Sequence, residues 1–267
     1  MGTFASFDGT QIHFDDTGGG GTPVVLVHGI TESSTGWESI VERLDDRRVI
    51  AVDLRGHGQS AKADRYDLEA MVTDIVMLAM HLELDRPHLV GHSLGGAVVS
   101  AAGAAGDFRS VINVDQSLNL GDFQAGLLEN EAMLRDPETF PLVIAALFDE
   151  MAGPMLQGEA RALVDSNRRA DQEVVLGVWD LMFSMSAEEI GAIVDDALAG
   201  YAGKETPLLS LFGIDPGDGY GDWLAGSISG ATTELWDGHG HYPHLVDPDR
   251  FVARCREFWA EANDTRG

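Results

Sequence analysis

His88-Leu89-Val90-Gly91-His92-Ser93-Leu94-Gly95-Gly96-Ala97-Val98-Val99 lies in the first half of a 267-residue chain. It opens on a short strand, His88–Val90, and runs into a helix rich in Ala and Gly, Leu94–Ala105. Between them stands a Gly-x-Ser-x-Gly turn, Gly91 to Gly95. A turn this tight forces its serine into a backbone conformation that residues with side chains avoid. Glycines on either side remove the atoms that would clash with the neighbouring strand and helix. The hydroxyl then stands clear of the sheet, at the positive end of a helix dipole. The spacing predicts a nucleophile elbow with Ser93 as the nucleophile.

The pattern on both sides of the elbow is strand and helix in alternation. Pro23–Val27 is a continuous apolar run, as suits a parallel strand buried on both faces. Arg48–Val52, Ser110–Val114, Thr206–Phe212 and Thr232–Trp236 are predicted to follow it in the sheet. Thr3–Phe7 and Gln11–Asp15 flank Asp8-Gly9, a hairpin signal. Leu68, Met71, Val72, Ile75, Leu78, Ala79 and Leu82 share one helical face behind an Asp67 N-cap. Near the end, Asp247 caps a helix with Pro248 in its first turn and Phe251, Cys255, Phe258 and Trp259 as its stripe. This order predicts an α/β fold: a mostly parallel, eight-stranded sheet with helices on both faces. Leu118 to Lys204 breaks the rhythm, being helical throughout. Such an insertion at the carboxyl end of a sheet is placed to cover a binding crevice. Most of its Met and aromatic residues are expected to pack its own core. Phe148, Trp179 and Met182 are the candidates for lining a pocket.

Composition narrows the classes of function. Hydrophobic residues at 44% and charged residues at 23% describe an ordinary globular chain. Seventeen Lys and Arg against 44 Asp and Glu leave a net charge of −27, which repels nucleic acid and anionic lipid. The expected partner is a small molecule, with no nucleic acid and no membrane. Cys255 is the single cysteine, so no intrachain disulfide can form. No apolar run reaches the length of a membrane span and no secretory signal opens the chain, so a cytoplasmic protein is expected. No Cys cluster suggests a metal, and no glycine spacing suggests a dinucleotide; no cofactor is expected.

An alcohol needs a base to become a nucleophile at neutral pH. His239, His241 and His244 all lie in the loop after the last strand, at the sheet end that carries the elbow. Spacing alone leaves the three open.

His28-Gly29-Ile30, Asp53-Leu54-Arg55-Gly56-His57-Gly58-Gln59-Ser60, Gly91–Gly96 and Gly240-His241 occur in this order across nearly the whole chain. Together they resemble the α/β-hydrolase superfamily. The resemblance implies that residues 1–117 and 205–267 form the hydrolase core and residues 118–204 a helical cap. It implies Ser93 as nucleophile, His241 as general base, and an oxyanion hole made by the backbone N–H groups of Ile30 and Leu94. Arg55 and its neighbouring glycines read as a tight turn. The acid that orients His241 has two sources in this superfamily. Asp215, after the strand Thr206–Phe212, is at the commoner place but one residue early, with Pro216 where the acid would stand. Asp115, at the end of Ser110–Val114, is the other and is preferred on that account. Trp37, beyond the oxyanion loop, and Tyr242, beside the base, are further pocket candidates.

These residues predict a cofactor-independent serine hydrolase. It would cleave a small, largely neutral ester, thioester or lactone through an acyl-enzyme. A serine nucleophile argues against the relatives that attack with aspartate. The same triad also serves carbon–carbon bond hydrolysis, perhydrolysis and hydroxynitrile cleavage, which stay open beside ester cleavage. The competing reading is a small-molecule receptor that keeps the triad with little turnover.

Overall fold

The computed structural model describes residues 1–264. Eight strands build one sheet: β1 (Gly2–Ala5), β2 (Gln11–Asp16), β3 (Pro23–Val27), β4 (Arg48–Val52), β5 (His88–His92), β6 (Ser110–Val114), β7 (Leu208–Phe212) and β8 (Thr232–Leu235). Their spatial order is β1-β2-β4-β3-β5-β6-β7-β8. β1 and β2 are antiparallel, as are β2 and β4; every other neighbouring pair is parallel. This is the mostly parallel, eight-stranded α/β sheet that the alternation predicts. β5 runs on to His92, two residues further than the apolar run suggests, and so ends directly at Ser93.

Three helices precede β6: α1 (Glu38–Val41), α2 (Leu68–His81) and α3 (Leu94–Ala105). Six lie between β6 and β7: α4 (Gly121–Arg135), α5 (Phe140–Ala152), α6 (Gly158–Asn167), α7 (Gln172–Val178), α8 (Asp180–Ser184) and α9 (Ala187–Ala199). α10 (Tyr220–Ser227), α11 (Pro243–Val246) and α12 (Pro248–Asp264) complete the chain. None of these helices is long and apolar enough to cross a membrane.

Successive strand residues point to opposite faces, which sorts each apolar run into two cores. Val25, Val27, Ile50 and Val52 pack with Met71 and Ile75 of α2 and Val98, Val99 and Ala102 of α3. Val24, Leu26, Val49 and Ala51 pack on the other side with Ile40 of α1 and the α12 stripe Phe251, Cys255, Phe258 and Trp259. Both helix starts read from the sequence carry their caps. The Asp67 carboxylate accepts from Ala70 N–H, and that of Asp247 from Arg250 N–H.

Polar ties hold the edges of this assembly. The Lys204 ammonium donates to the carbonyls of Gly103, Ala104 and Gly106, closing the carboxyl end of α3. Arg55 is fully buried. Its guanidinium grips both carboxylate oxygens of Asp74 on α2 at 2.8 Å and reaches Asp8 at 2.9 Å. The Ser6 hydroxyl donates to the same Asp74. The hairpin turn, the loop after β4 and α2 therefore meet on one buried ion pair. Arg55→Met, which leaves the Asp74 carboxylate buried and unpaired, is expected to cost about 3–5 kcal/mol. Arg55→Met combined with Asp74→Leu is expected to recover most of it. Urea unfolding midpoints check both; equal losses in the single and double variants would contradict the assignment.

Candidate active site

Ser93 joins β5 to α3 at φ 52° and ψ −125°, a region that favours glycine. Such strain persists only where the surroundings enforce it. Here they are the sheet and the helix. A methyl group on Gly91 would run into the Gly95 carbonyl, and one on Gly95 into the Val27 carbonyl. The glycines let α3 lie against β3 and β5, and the turn then has no room for an ordinary serine conformation. The Ser93 N–H is held by the Val114 carbonyl of β6 at 2.9 Å.

Because β5, β6, β7 and β8 are parallel, the loops that leave them all open at one end of the sheet. His241, in the loop after β8, is buried there. Its Nδ1 donates to Asp115 Oδ2 at 2.6 Å. That bond fixes the tautomer and leaves Nε2 with a free lone pair. Nε2 has no hydrogen-bond partner among the described residues. The other Asp115 oxygen, Oδ1, accepts from Gly213 N–H at 2.7 Å and Ile214 N–H at 3.0 Å. Asp115 itself sits at φ 53°. Asp215 is turned elsewhere: it accepts from Gly217 N–H at 2.9 Å, and it is exposed. Of the two acids that the sequence offered, Asp115 is the one brought to His241. The loop after β7, where the alternative stands, supplies instead the amides that hold Asp115.

Ser93, His241, Asp115, Ile30 and Leu94 all line one cavity of about 290 Å³. The N–H groups of Ile30 and Leu94 donate to no other group among the described residues. The walls are mostly apolar and come largely from the inserted helices, including Phe123, Phe148, Trp179 and Met182. Gln116, Ser117, Asn119 and Asp215 form a polar stretch. The lining contains no Lys or Arg. Among the described residues no group of three or more His, Cys, Asp and Glu could hold a metal ion.

Phe148, Trp179 and Met182 lie in the cavity wall. Trp37 and Tyr242 do not, and this corrects the expectation. Trp37 is 1% exposed and packs with Ile40 and Leu44, its ring 4.7 Å from that of His244. The turn Ser34–Trp37 has carried it past the cavity and under the sheet. Tyr242 is also 1% exposed and packs with Ala152, Leu156, Val164 and Leu245. It follows His241 directly, and its side chain enters this separate cluster while His241 meets the cavity. His239 and His244 are likewise absent from the lining. The polar residues Gln116, Ser117 and Asn119 were not singled out from the sequence. Their position just after Asp115 is the one signal that points to them.

A family model described as the alpha/beta hydrolase family matches residues 24–254. The dihydrolipoyllysine-residue acetyltransferase component of the acetoin cleaving system of Pseudomonas putida is 41% identical over 122 residues. That match covers 44% of this chain and 33% of the relative, so the chain spans about a third of that protein's length. Among solved structures, a thermophilic esterase from Thermogutta terrifontis matches with a TM-score of 0.75 and 25% identity, covering 97% of this chain and 98% of its own. The esterase RhEst1 from Rhodococcus sp. matches with a TM-score of 0.71 and 28% identity, over 97% and 98% of the two chains. The sheet order, the strained serine between β5 and α3, and the family match over most of its length place this chain in the alpha/beta hydrolase family.

Proposed function

We propose that this hydrolase is a cofactor-independent serine enzyme cleaving a small, largely neutral ester, thioester or lactone. One observation carries the reading. A buried Asp115–His241 pair, 2.6 Å apart, leaves the His241 Nε2 lone pair unused beside a cavity into which Ser93 also opens.

In the proposed reaction Nε2 takes the Ser93 hydroxyl proton as Oγ attacks the substrate carbonyl carbon. The carbonyl π electrons move onto oxygen, and the Ile30 and Leu94 amides hold the resulting oxyanion. Each such donor contributes about 3 kcal/mol to lowering the barrier. Asp115 stabilises the imidazolium without taking its proton. Collapse of the tetrahedral species breaks the bond to the leaving oxygen or sulfur, which receives the proton from Nε2. Water then enters, gives its proton to Nε2 and attacks the acyl carbon. The second collapse releases the carboxylic acid and returns the proton to Ser93.

The walls suit this substrate class. A cavity of about 290 Å³ with apolar sides accepts short to medium groups. Two carboxylates, Asp115 and Asp215, and no cationic side chain line it, which disfavours a substrate that carries its own carboxylate. Residues 118–204, with α4 to α9, are proposed as the cap and the remainder as the core. The two esterases of similar fold support ester chemistry.

Four outcomes test the proposal. A serine-directed fluorophosphonate is expected to add once to the native protein and not to Ser93→Ala, as read by intact mass. p-Nitrophenyl esters of short acids are expected to turn over in the same native sample; labelling without turnover would move the chemistry to carbon–carbon or lactone substrates. Absence of both in folded protein would favour a receptor. Asp115→Asn is expected to lower kcat roughly a thousandfold or more. Asp215→Asn is expected to keep most of its turnover, and similar mild losses in both variants would contradict Asp115 as the essential acid. Neutral methyl esters are expected to be cleaved with higher kcat/KM than the matching dicarboxylic half-esters, with the difference shrinking at high salt.

A further inference from the structure

Beside Ser93, outside the cavity lining, lies a pair of charged groups, His92 buried and Glu32 nearly so, that the proposed acyl transfer does not use. His92 ends β5 and is 1% exposed. Its Nδ1 is 3.3 Å from Glu32 Oε2, and its Nε2 is 2.7 Å from the backbone carbonyl oxygen of His241. Both neighbours only accept hydrogen bonds, and a neutral imidazole carries only one N–H. Satisfying both contacts therefore requires His92 to be the imidazolium. Burial opposes this charge, but Glu32 outweighs it and holds the His92 pKa above its ordinary value. Burial likewise opposes the Glu32 carboxylate, and the charge on His92 reverses the effect and keeps Glu32 ionised.

The contacts of this pair reach three separate segments. The same Glu32 Oε2 accepts from Gly29 N–H at 3.1 Å, and Glu32 N–H donates to the Gly29 carbonyl at 3.2 Å. Together these close the turn that presents the Ile30 amide. His92 immediately precedes Ser93, and its second bond holds the main chain of His241. The rings of Tyr242 and His244 pack against His92 at 4.9 and 4.6 Å. Burial, and then the charge on His92, push His244 well below its ordinary pKa, so it stays neutral and does not compete for Glu32. Burial, and then the charge of Glu32, keep the Tyr242 phenol protonated. Taking two charges out of water is costly, and their attraction only roughly offsets the cost. Net stability is thus a poor account of the pair, whereas a fixed relation between three loops is what its hydrogen bonds supply.

We propose that Glu32 and His92 are positioning residues whose ion pair sets the Ile30 amide and His241 relative to Ser93, and so raises kcat without touching substrate. This rests on the reading of Ser93 and His241 as nucleophile and base. The test is steady-state hydrolysis of p-nitrophenyl butyrate by the full chain, with Glu32→Gln, His92→Gln, their double variant and Ser93→Ala. Folded fraction and thermal midpoint are measured for each. Glu32→Gln keeps the size of the side chain and removes its charge. It is expected to lower kcat about 10- to 100-fold with KM changed by no more than about twofold. The double variant is expected to be no slower than the slower single one, since both remove the same interaction. Kcat within about twofold of native in Glu32→Gln, losses that multiply in the double variant, or losses that follow the folded fraction alone would each overturn the proposal. If His92→Gln does not fold, the kcat and KM of Glu32→Gln decide. Loss of all turnover in Ser93→Ala with Glu32→Gln unaffected removes the positioning role and leaves the serine reading intact. Turnover retained in Ser93→Ala removes both.

Discussion

The close approach of α3 to the sheet is the constraint on which the rest depends. α3 follows β5 with no intervening loop, and only glycine at 91 and 95 lets the two come so near. The cost is concentrated on one residue, Ser93, whose φ of 52° is unfavourable for a side chain. That strain is held by packing on both sides: Val98, Val99 and Ala102 sit in the core with Val25 and Val27. It is not relieved because relieving it would lift the helix off the sheet. The serine consequently stands at the carboxyl end of the sheet, where the loops after β6, β7 and β8 converge.

The helices between β6 and β7 do more than line the cavity. Met151, at the end of α5, accepts from the N–H of His241 at 2.9 Å. Arg169, beyond α6, donates its N–H to Thr31 in the loop that carries Ile30, at 2.7 Å. Asn167 accepts from the hydroxyls of Ser33 and Thr35 at 2.5 and 2.8 Å. On the far side Lys62 pairs with Asp171 and Glu173 at 2.7 and 3.0 Å. These helices are therefore bonded to the loop of His241 and to the loop of Ile30 as well as forming the cavity wall. Their placement and the geometry of the site are linked through main-chain hydrogen bonds, which side-chain substitutions in the cavity wall would leave in place.

Much of this was legible in the chain. The elbow was readable because one requirement, a serine between small residues at a strand-to-helix junction, leaves a mark in local sequence. The six helices between β6 and β7 were readable as helices because strand periodicity stops there. Their inward faces were only partly readable. Phe148, Trp179 and Met182 line the cavity, but so do Phe123, Leu147 and Met151, which carry no distinguishing local signal. Nearness in sequence to Ile30 and His241 does not bring Trp37 and Tyr242 to the cavity. A short helical turn and a single step along the chain were enough to send both into separate packing clusters.

The order of apolar runs, caps and glycines determined by itself an α/β sheet with Ser93 at a turn between strand and helix, and a histidine beyond the last strand. These features depend on residues within a few positions of one another, so local sequence carries them. Between Asp115 and Asp215 the sequence only leans, through Pro216, to Asp115; tertiary structure decides. Both follow strands that end side by side, and the register of β6 against β7 decides which carboxylate points at His241. Asp115 reaches it because the amides of Gly213 and Ile214 take its second oxygen, while Asp215 folds back onto Gly217. The pairing of Glu32 with His92, 60 residues apart, is of the same kind. Neither residue is marked by its neighbours in sequence, and each holds its charge against burial because the fold sets the other beside it.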